Sequence, residues 1–436
     1  MLFACALIPY FHAHKYAHFI ISKGYIIMGH NAIVGQSGGP TCVINSSLAG
    51  VYSACKKCGA KTVYGMRFGV QGLLEEKLVD LTARLDSPIK LELLQRTPAS
   101  YLGSCRFKLP DYRVDPSIYE RLFSILKKYD IGYFFYIGGN DSMDTICKLS
   151  DYADSINSDI RFVGVPKTID NDLMITDHTP GYGSAAKYIG ASVKELVRDS
   201  TIYDLKSVTV VEIMGRNAGW LTAAAALAED TDCEGAQMIC LPEVRFDQEA
   251  FLDRLAELQK HTPSLVVCVS EGIRTADGRY VCELGDDALH TDAFGHKYLS
   301  GTAQYLSRLI HGRLGVKSRA VELSTLQRCA SHISSRTDIM EAYQVGGAAV
   351  TAAFNGKSGM MVALSRLSDD PYLCVTELHD IHDVANYEKL VPRHWIDGDN
   401  YRLNPEFLDY VRPLIQGEVP PMYVRGMPQH LFLERD

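Results

Sequence analysis

The chain has 436 residues, 47% of them hydrophobic and 22% charged, enough apolar material for the cores of two domains. Its formal net charge of −8 argues against a nucleic-acid surface as its main business, so an anionic small substrate would need a local basic cluster in an acidic body. Twelve cysteines, scattered from Cys5 to Cys374 without a repeating spacing, argue against a secreted disulfide framework and for reduced thiols in a cytoplasm.

The first 27 residues read as a leader that is disordered or foreign to the native protein. Residues 2–10 are apolar but too short to span a bilayer, and His12, His14, Lys15 and His18 break up the stretch beyond them. No basic start or small-residue cleavage site marks a signal peptide. Met28 is therefore expected to be the natural start, and no membrane role is expected.

From Asn31 onward short apolar runs alternate with amphipathic segments, the signature of a parallel α/β fold. A strand is predicted over 31–35, then the turn Gln36-Ser37-Gly38-Gly39-Pro40-Thr41, then a helix over 42–57. That helix carries a CxxC, Cys55 to Cys58, but with no second half-site it reads as ordinary helix rather than metal or redox chemistry. A strand over 131–137 leads into Gly138-Gly139-Asn140-Asp141-Ser142 and a helix through Lys148. A strand over 162–165 ends at Pro166-Lys167-Thr168-Ile169-Asp170-Asn171-Asp172, and Gly181-Tyr182-Gly183 opens a helix to about Arg198. The second half repeats the alternation. A strand over 208–213 ends at Met214-Gly215-Arg216, an alanine-rich helix is predicted over 220–228, and a strand over 265–269 ends at Ser270-Glu271-Gly272.

In open α/β sheets ligands bind beyond the carboxyl ends of the strands, and the notable polar residues fall there repeatedly. Two glycine turns, Ser37-Gly38-Gly39 and Gly138-Gly139, each join a strand to a helix, where free N–H groups and the helix dipole favour a phosphate. Neither fits the dinucleotide fingerprint or the Walker A loop, and tight strand-to-helix packing explains either one equally well alone. The loop after the third strand says more. It sets Lys167 beside Asp170 and Asp172 just past a buried strand; turn and capping chemistry accounts for Asn171 and Asp172, but less well for Lys167 and Asp170.

These strings, with Gly103-Ser104-Cys105-Arg106, Met214-Gly215-Arg216 and Gln327-Arg328, resemble the phosphofructokinase family in order and spacing, from about Asn31 to about Ala330. The resemblance implies two Rossmann-like α/β domains with the active site in the cleft between them. A donor-binding domain is expected over 28–181, completed by part of 329–375. An acceptor domain is expected over 182–328, completed by the tail 376–436. The implied acceptor is fructose 6-phosphate, with Asp170 as the general base that takes its 1-hydroxyl proton. Thr168, Ile169 and Asp170 would touch the sugar, as would Met214, Gly215, Arg216 and Glu271. Arg319, Thr325, Leu326, Gln327 and Arg328 would form the 6-phosphate site, Arg328 most firmly because a guanidinium bonds phosphate bidentately. Gly39 and Arg106 would meet the donor.

The donor turns on two positions. ATP-using relatives have glycine where this chain has Asp141 and Lys167, and those glycines leave room for a nucleotide's α-phosphate. The resemblance therefore implies pyrophosphate, with Asp141 and Lys167 in the catalytic set; ATP remains the alternative donor, and a non-catalytic sugar-phosphate sensor the second alternative. Mg²⁺ is implied as cofactor. Its usual Asp is here Asn140, a neutral oxygen and a weaker ligand for a hard cation, so Asp141 or Asp170 would share the metal. A homodimer or homotetramer is implied, because family members complete the sugar phosphate site from a neighbouring subunit.

Overall fold

A computed structural model describes residues 29–202, 204–285, 299–385 and 387–433. The leader of 1–27 and the start at Met28 lie outside these residues. Along the chain come β1 (Asn31–Gln36), α1 (Ile44–Lys57), β2 (Val63–Met66), β3 (Leu78–Asp80) and β4 (Ile131–Gly138). Next are α2 (Asn140–Ser155), β5 (Arg161–Pro166), α3 (Tyr182–Ser200), β6 (Ser207–Ile213), β7 (Met238–Cys240) and β8 (Ser264–Ser270). The last are β9 (Lys317–Glu322), α4 (Arg336–Phe354), β10 (Met360–Asp369), β11 (Tyr372–Asp380) and α5 (Pro405–Val411).

The strands form two sheets. The first has the order β11-β10-β5-β4-β1-β2-β3, with β2, β1, β4, β5 and β10 mutually parallel and an antiparallel strand at each edge. The second, β9-β6-β8-β7, is wholly parallel. Its central strands β6 and β8 are buried on both faces, which is why they read as near-continuous apolar runs in the sequence. Each sheet has a core on either side. Phe135, Ile137 and Val165 of the first sheet pack with α1 and α4 on one face, and Phe134, Tyr136 and Phe162 pack with Tyr119 and Leu122 on the other.

The tail divides between the two cores. Phe407, Val411 and Leu414 join the apolar cluster around α3 and Trp220, whereas Ile381, Val384, Leu431 and Leu433 pack with the first sheet. This differs from the single assignment expected for residues 376–436. The predicted helix over 220–228 is also corrected: Trp220–Ala223 is α-helical and Ala224–Ala228 is 3₁₀. The segment is wedged against α3, where a Cβ on Gly190 would come 2.8 Å from that of Leu227, and the buried alanines allow the tighter winding.

Glycine sets the closest helix contact. A Cβ on Gly50 of α1 would fall 2.1 Å from the carbonyl oxygen of Tyr343 on α4, and one on Gly346 would fall 2.2 Å from that of Ser47. Both are backbone atoms and cannot turn aside. Gly50→Ala and Gly346→Ala are each expected to cost about 1–3 kcal/mol in urea unfolding, whereas Gly347→Ala, which points into open space, should cost far less.

A buried ion network closes the loop between β5 and α3. His178 Nδ1 lies 2.7 Å from Asp177 and Nε2 lies 2.7 Å from Glu341, while Arg366 reaches Asp177 at 2.9 Å and Tyr372 donates to Glu341 at 2.6 Å. Burial alone would lower the pKa of His178, but the charge of Glu341 and the bonds to both carboxylates outweigh it and raise the value from 6.5 to about 9. A folded-state pKa above the unfolded one gives stability that is complete below pH 6.5 and is lost as pH rises to about 9. The urea midpoint of the wild type should therefore fall across that window, and in His178→Gln the fall should be much smaller.

Candidate active site

The carboxyl ends of β1, β4 and β5 from one sheet and of β6 and β8 from the other open on a shared cleft of about 1070 Å³. On the first side, backbone bonds lock the three ends together. Ser37 N donates to Ile137 O at 2.9 Å, and Lys167 N donates to Gly138 O at 2.9 Å. Gly38, at φ +75°, makes the turn after β1 in a conformation that L side chains rarely adopt. Its carbonyl accepts from Ser104 Oγ at 2.6 Å and its N–H donates to Cys105 O at 3.2 Å, which brings the stretch of chain bearing Arg106 to the glycine turn.

Lys167 is the central observation. It is only 2% exposed, and its Nζ donates to Gly39 O at 2.6 Å. The ammonium therefore lies across the mouth of the first glycine turn, 3.3 Å from where a Cβ on Gly38 would be. Burial pulls its pKa down to about 8, against the opposing charges of Asp170 and Asp172. At neutral pH it remains a cation.

Asp170 sits half-buried beside it, with its Oδ2 accepting from Thr168 Oγ1 at 3.1 Å. Burial raises its pKa above the usual carboxylate range, opposed by that hydrogen bond and by Lys167, Arg216 and Arg328. Burial and then the charge of Asp170 push Asp172 up to about 7. Asn171 plays the structural part that turn chemistry suggests: at φ +55° its Oδ1 accepts from Thr179 N at 3.0 Å and its Nδ2 donates to Tyr410 at 2.8 Å. Asp141, in the first turn of α2, is exposed and faces the cleft. Asn140 lines the cleft too, and its amide nitrogen donates to the carbonyl oxygen of Tyr387.

The opposite wall is equally interlocked. Glu271, after β8, accepts from Gly215 N at 3.4 Å, and burial pushes its pKa up to about 7. Gln327 accepts from Met214 N at 3.3 Å. Arg328 spans the gap, because its Nη1 lies 3.4 Å from where a Cβ on Gly39 would be. Gly39, Arg106, Asn140, Asp141, Lys167, Thr168, Ile169, Asp170, Met214, Gly215, Arg216, Glu271, Thr325, Gln327 and Arg328 thus line one cleft. Leu326 and Arg319 do not. Leu326 is 58% exposed on the outer side of its 3₁₀ turn, and Arg319 projects from edge strand β9 to within 3.8 Å of Asp199. Thr325 and Gln327, on either side of Leu326, face the cleft, and the turn carries Leu326 outward.

Several cleft residues escape the sequence reading. Arg274 is held by Asn217 and lies over the ring of Tyr280, and Glu388 accepts from Asn217 Nδ2 at 3.1 Å. Arg274 lies three residues past Glu271 in the same loop, a signal that was open to use. Tyr387 and Glu388 arrive from the tail, more than two hundred residues beyond the glycine turns they face, and carry no motif.

A cleft at the carboxyl ends of two parallel sheets, with glycine turns on one side, guanidiniums on the other and a buried lysine beside carboxylates, defines a phosphoryl-transfer enzyme. Comparison with known proteins gives the family. The sequence model described as "Phosphofructokinase" matches residues 31–353. The chain is 41% identical over 404 residues to a pyrophosphate--fructose 6-phosphate 1-phosphotransferase of Halomonas elongata, covering 92% of this chain and 95% of the relative. It is 42% identical over 407 residues to the enzyme of the same name from Methylococcus capsulatus, covering 92% and 96%. A crystal structure of a pyrophosphate-dependent phosphofructokinase from Nitrosospira multiformis superposes with a TM-score of 0.83 at 37% identity, covering 92% of this chain and 96% of that one. The chain belongs to the phosphofructokinase family. Among the described residues no helix is long and apolar enough to cross a membrane.

Proposed function

We propose that this chain transfers a phosphoryl group reversibly from pyrophosphate to the 1-hydroxyl of fructose 6-phosphate, giving fructose 1,6-bisphosphate and phosphate. The names of its close relatives support both substrates. The single observation that carries the donor is the Lys167 ammonium laid against Gly39 at 2.6 Å. It fills volume next to the diphosphate turn that a longer donor would need, and it holds positive charge where a transferring phosphoryl group develops negative charge.

The first sheet's unit is the donor side and the second sheet's unit the acceptor side. Asp170 takes the proton of the sugar's 1-hydroxyl, and the oxygen attacks the terminal phosphoryl group in line. Its raised pKa suits a base that must take a proton and return it in the reverse reaction. Lys167, Arg106 and the N–H of Gly39 neutralise the leaving phosphate. Arg216 and Arg328 hold the sugar phosphate, and Glu271 a sugar hydroxyl.

The donor set suits a divalent cation: burial, then the charge of Asp170, raises the pKa of Asp172, and a cation beside the two carboxylates would relieve their repulsion. Mg²⁺ would be held by Asp170, Asp141 and Asn140, largely through water and the diphosphate, and would supply charge neutralisation on the transferring group. Arg319, turned out of its own cleft beside Asp199, fits an assembly in which it serves a neighbouring subunit. Initial rates of fructose 6-phosphate phosphorylation with pyrophosphate and with ATP, each with and without Mg²⁺, test the reading. Turnover with pyrophosphate that requires Mg²⁺ is expected; ATP turnover exceeding it would overturn the donor.

A further inference from the structure

Away from the cleft, the far half of α2 and the end of β11 bring together three different metal-ligating side chains. Cys147 and Asp151 stand four residues apart on α2, hence on one helix face. His382 comes just after β11, in the short 3₁₀ turn Ile381–Asp383. The Cys147 Sγ, a carboxylate oxygen of Asp151 and a ring nitrogen of His382 all lie within 4.8 Å of one another. The imidazole is already oriented. Its Nδ1 lies 2.7 Å from Asp380, and its Nε2 lies 3.0 Å from Asp151 and so faces the helix.

We propose that Cys147, Asp151 and His382 form a zinc site on the outer face of the first domain, with Asp380 as the carboxylate that orients its histidine. The reading does not depend on which reaction the cleft performs. Thiolate, imidazole and carboxylate together are a donor set for a borderline-soft cation, not for Mg²⁺, which prefers an all-oxygen shell. The Asp380–His382 pair supplies the outer arrangement typical of zinc-bound histidine: Nδ1–H donates to a carboxylate, which leaves the Nε2 lone pair for the metal. Binding displaces the Cys147 thiol proton and the proton shared by Nε2 and Asp151, and water completes the coordination sphere.

The other His/Glu/Cys grouping among the described residues, His178, Glu341 and Cys374, is already engaged by protein partners. There Arg366 already neutralises Asp177, and Tyr372 bonds Glu341.

The position gives the site a consequence. Helix α2 begins at Asn140 and Asp141, which line the cleft, and the turn bearing His382 runs on to Tyr387 and Glu388, which line it too. A metal joining Cys147 and Asp151 to His382 would tie these two contributors together some distance behind the cleft.

The test uses the full-length chain, freed of metal with a chelator and titrated with Co²⁺ as a spectroscopic probe, then with Zn²⁺. A thiolate-to-cobalt absorption band in the near ultraviolet is expected to saturate at one equivalent and to bleach when Zn²⁺ is added. Cys147→Ser should abolish the band, His382→Gln should weaken Zn²⁺ binding at least tenfold, Asp380→Asn should weaken it about tenfold, and Cys374→Ser should leave both unchanged. In the unaltered protein Zn²⁺ should also slow alkylation of Cys147, read by mass spectrometry, which does not rely on any variant folding. Absence of the band, its survival in Cys147→Ser, its loss in Cys374→Ser, or alkylation of Cys147 at the same rate with and without Zn²⁺ would each overturn the proposal.

Discussion

Asp170→Asn is expected to lower kcat with pyrophosphate by about 10²–10⁴-fold, the usual worth of a positioned general base. The substitution keeps the shape and the neighbours of the side chain, including Thr168, whose hydroxyl lies 3.1 Å away. It removes the negative charge and the oxygen that receives the sugar's proton. Because Arg216, Glu271 and Arg328, the residues proposed to hold the sugar phosphate, lie on the other wall, its dissociation constant should change less than about threefold, as expected when an interaction made only in the transition state is lost. Steady-state kinetics and direct sugar phosphate binding check the two halves. A loss of kcat under tenfold would remove Asp170 from the role of base.

Lys167→Ala is expected to cost about 10²–10³-fold in kcat, the scale found when one preorganised donor to a developing oxyanion is removed. The case rests on position. The ammonium is buried, fixed on the Gly39 carbonyl, and flanked by Asp170 and Asp172, so no solvent-exposed lysine could replace it. Its lowered pKa adds a second reading of the same residue. Activity of the wild type should rise on the acid side as Asp170 ionises and fall on the alkaline side through about pH 8, as Lys167 loses its charge. In Lys167→Ala the residual activity should lack that alkaline limb. Retained turnover, or an unchanged alkaline limb, would show that the lysine is structural.

The sequence was most legible where one residue type has one physical use. Strands β1, β4, β5, β6 and β8 are buried on both faces, so their apolar runs end where the structure ends them, within a residue or two. The glycine turns and the Lys167–Asp172 loop sit at those ends, and that recurrence marks the ligand side of the sheets, whereas the cleft between two domains came with the resemblance to the family. Strand β9 was missed because its residues, Lys317–Glu322, are mostly polar and none is fully buried at the sheet edge, with only Ala320 and Val321 and no longer apolar run to mark them. The hairpin of β10 and β11 was missed for a related reason: β11 is half-exposed throughout, and it is placed by pairing with β10 rather than by its own pattern. Leu326 points away from the cleft because a motif names consecutive residues while the 3₁₀ turn sends Leu326 to the side opposite Thr325 and Gln327. The tail's contributions, Tyr387 and Glu388, depend on long-range packing that no local pattern encodes.

The claim that Asp141 and Lys167 leave room for two phosphates but not for a nucleotide is tested most directly by equilibrium binding. A non-hydrolysable ATP analogue with Mg²⁺ would be titrated onto the wild-type chain and challenged with pyrophosphate. The account predicts no saturable, pyrophosphate-displaceable binding of the analogue at concentrations where pyrophosphate itself saturates the cleft. Tight binding of the analogue that pyrophosphate displaces competitively would contradict it.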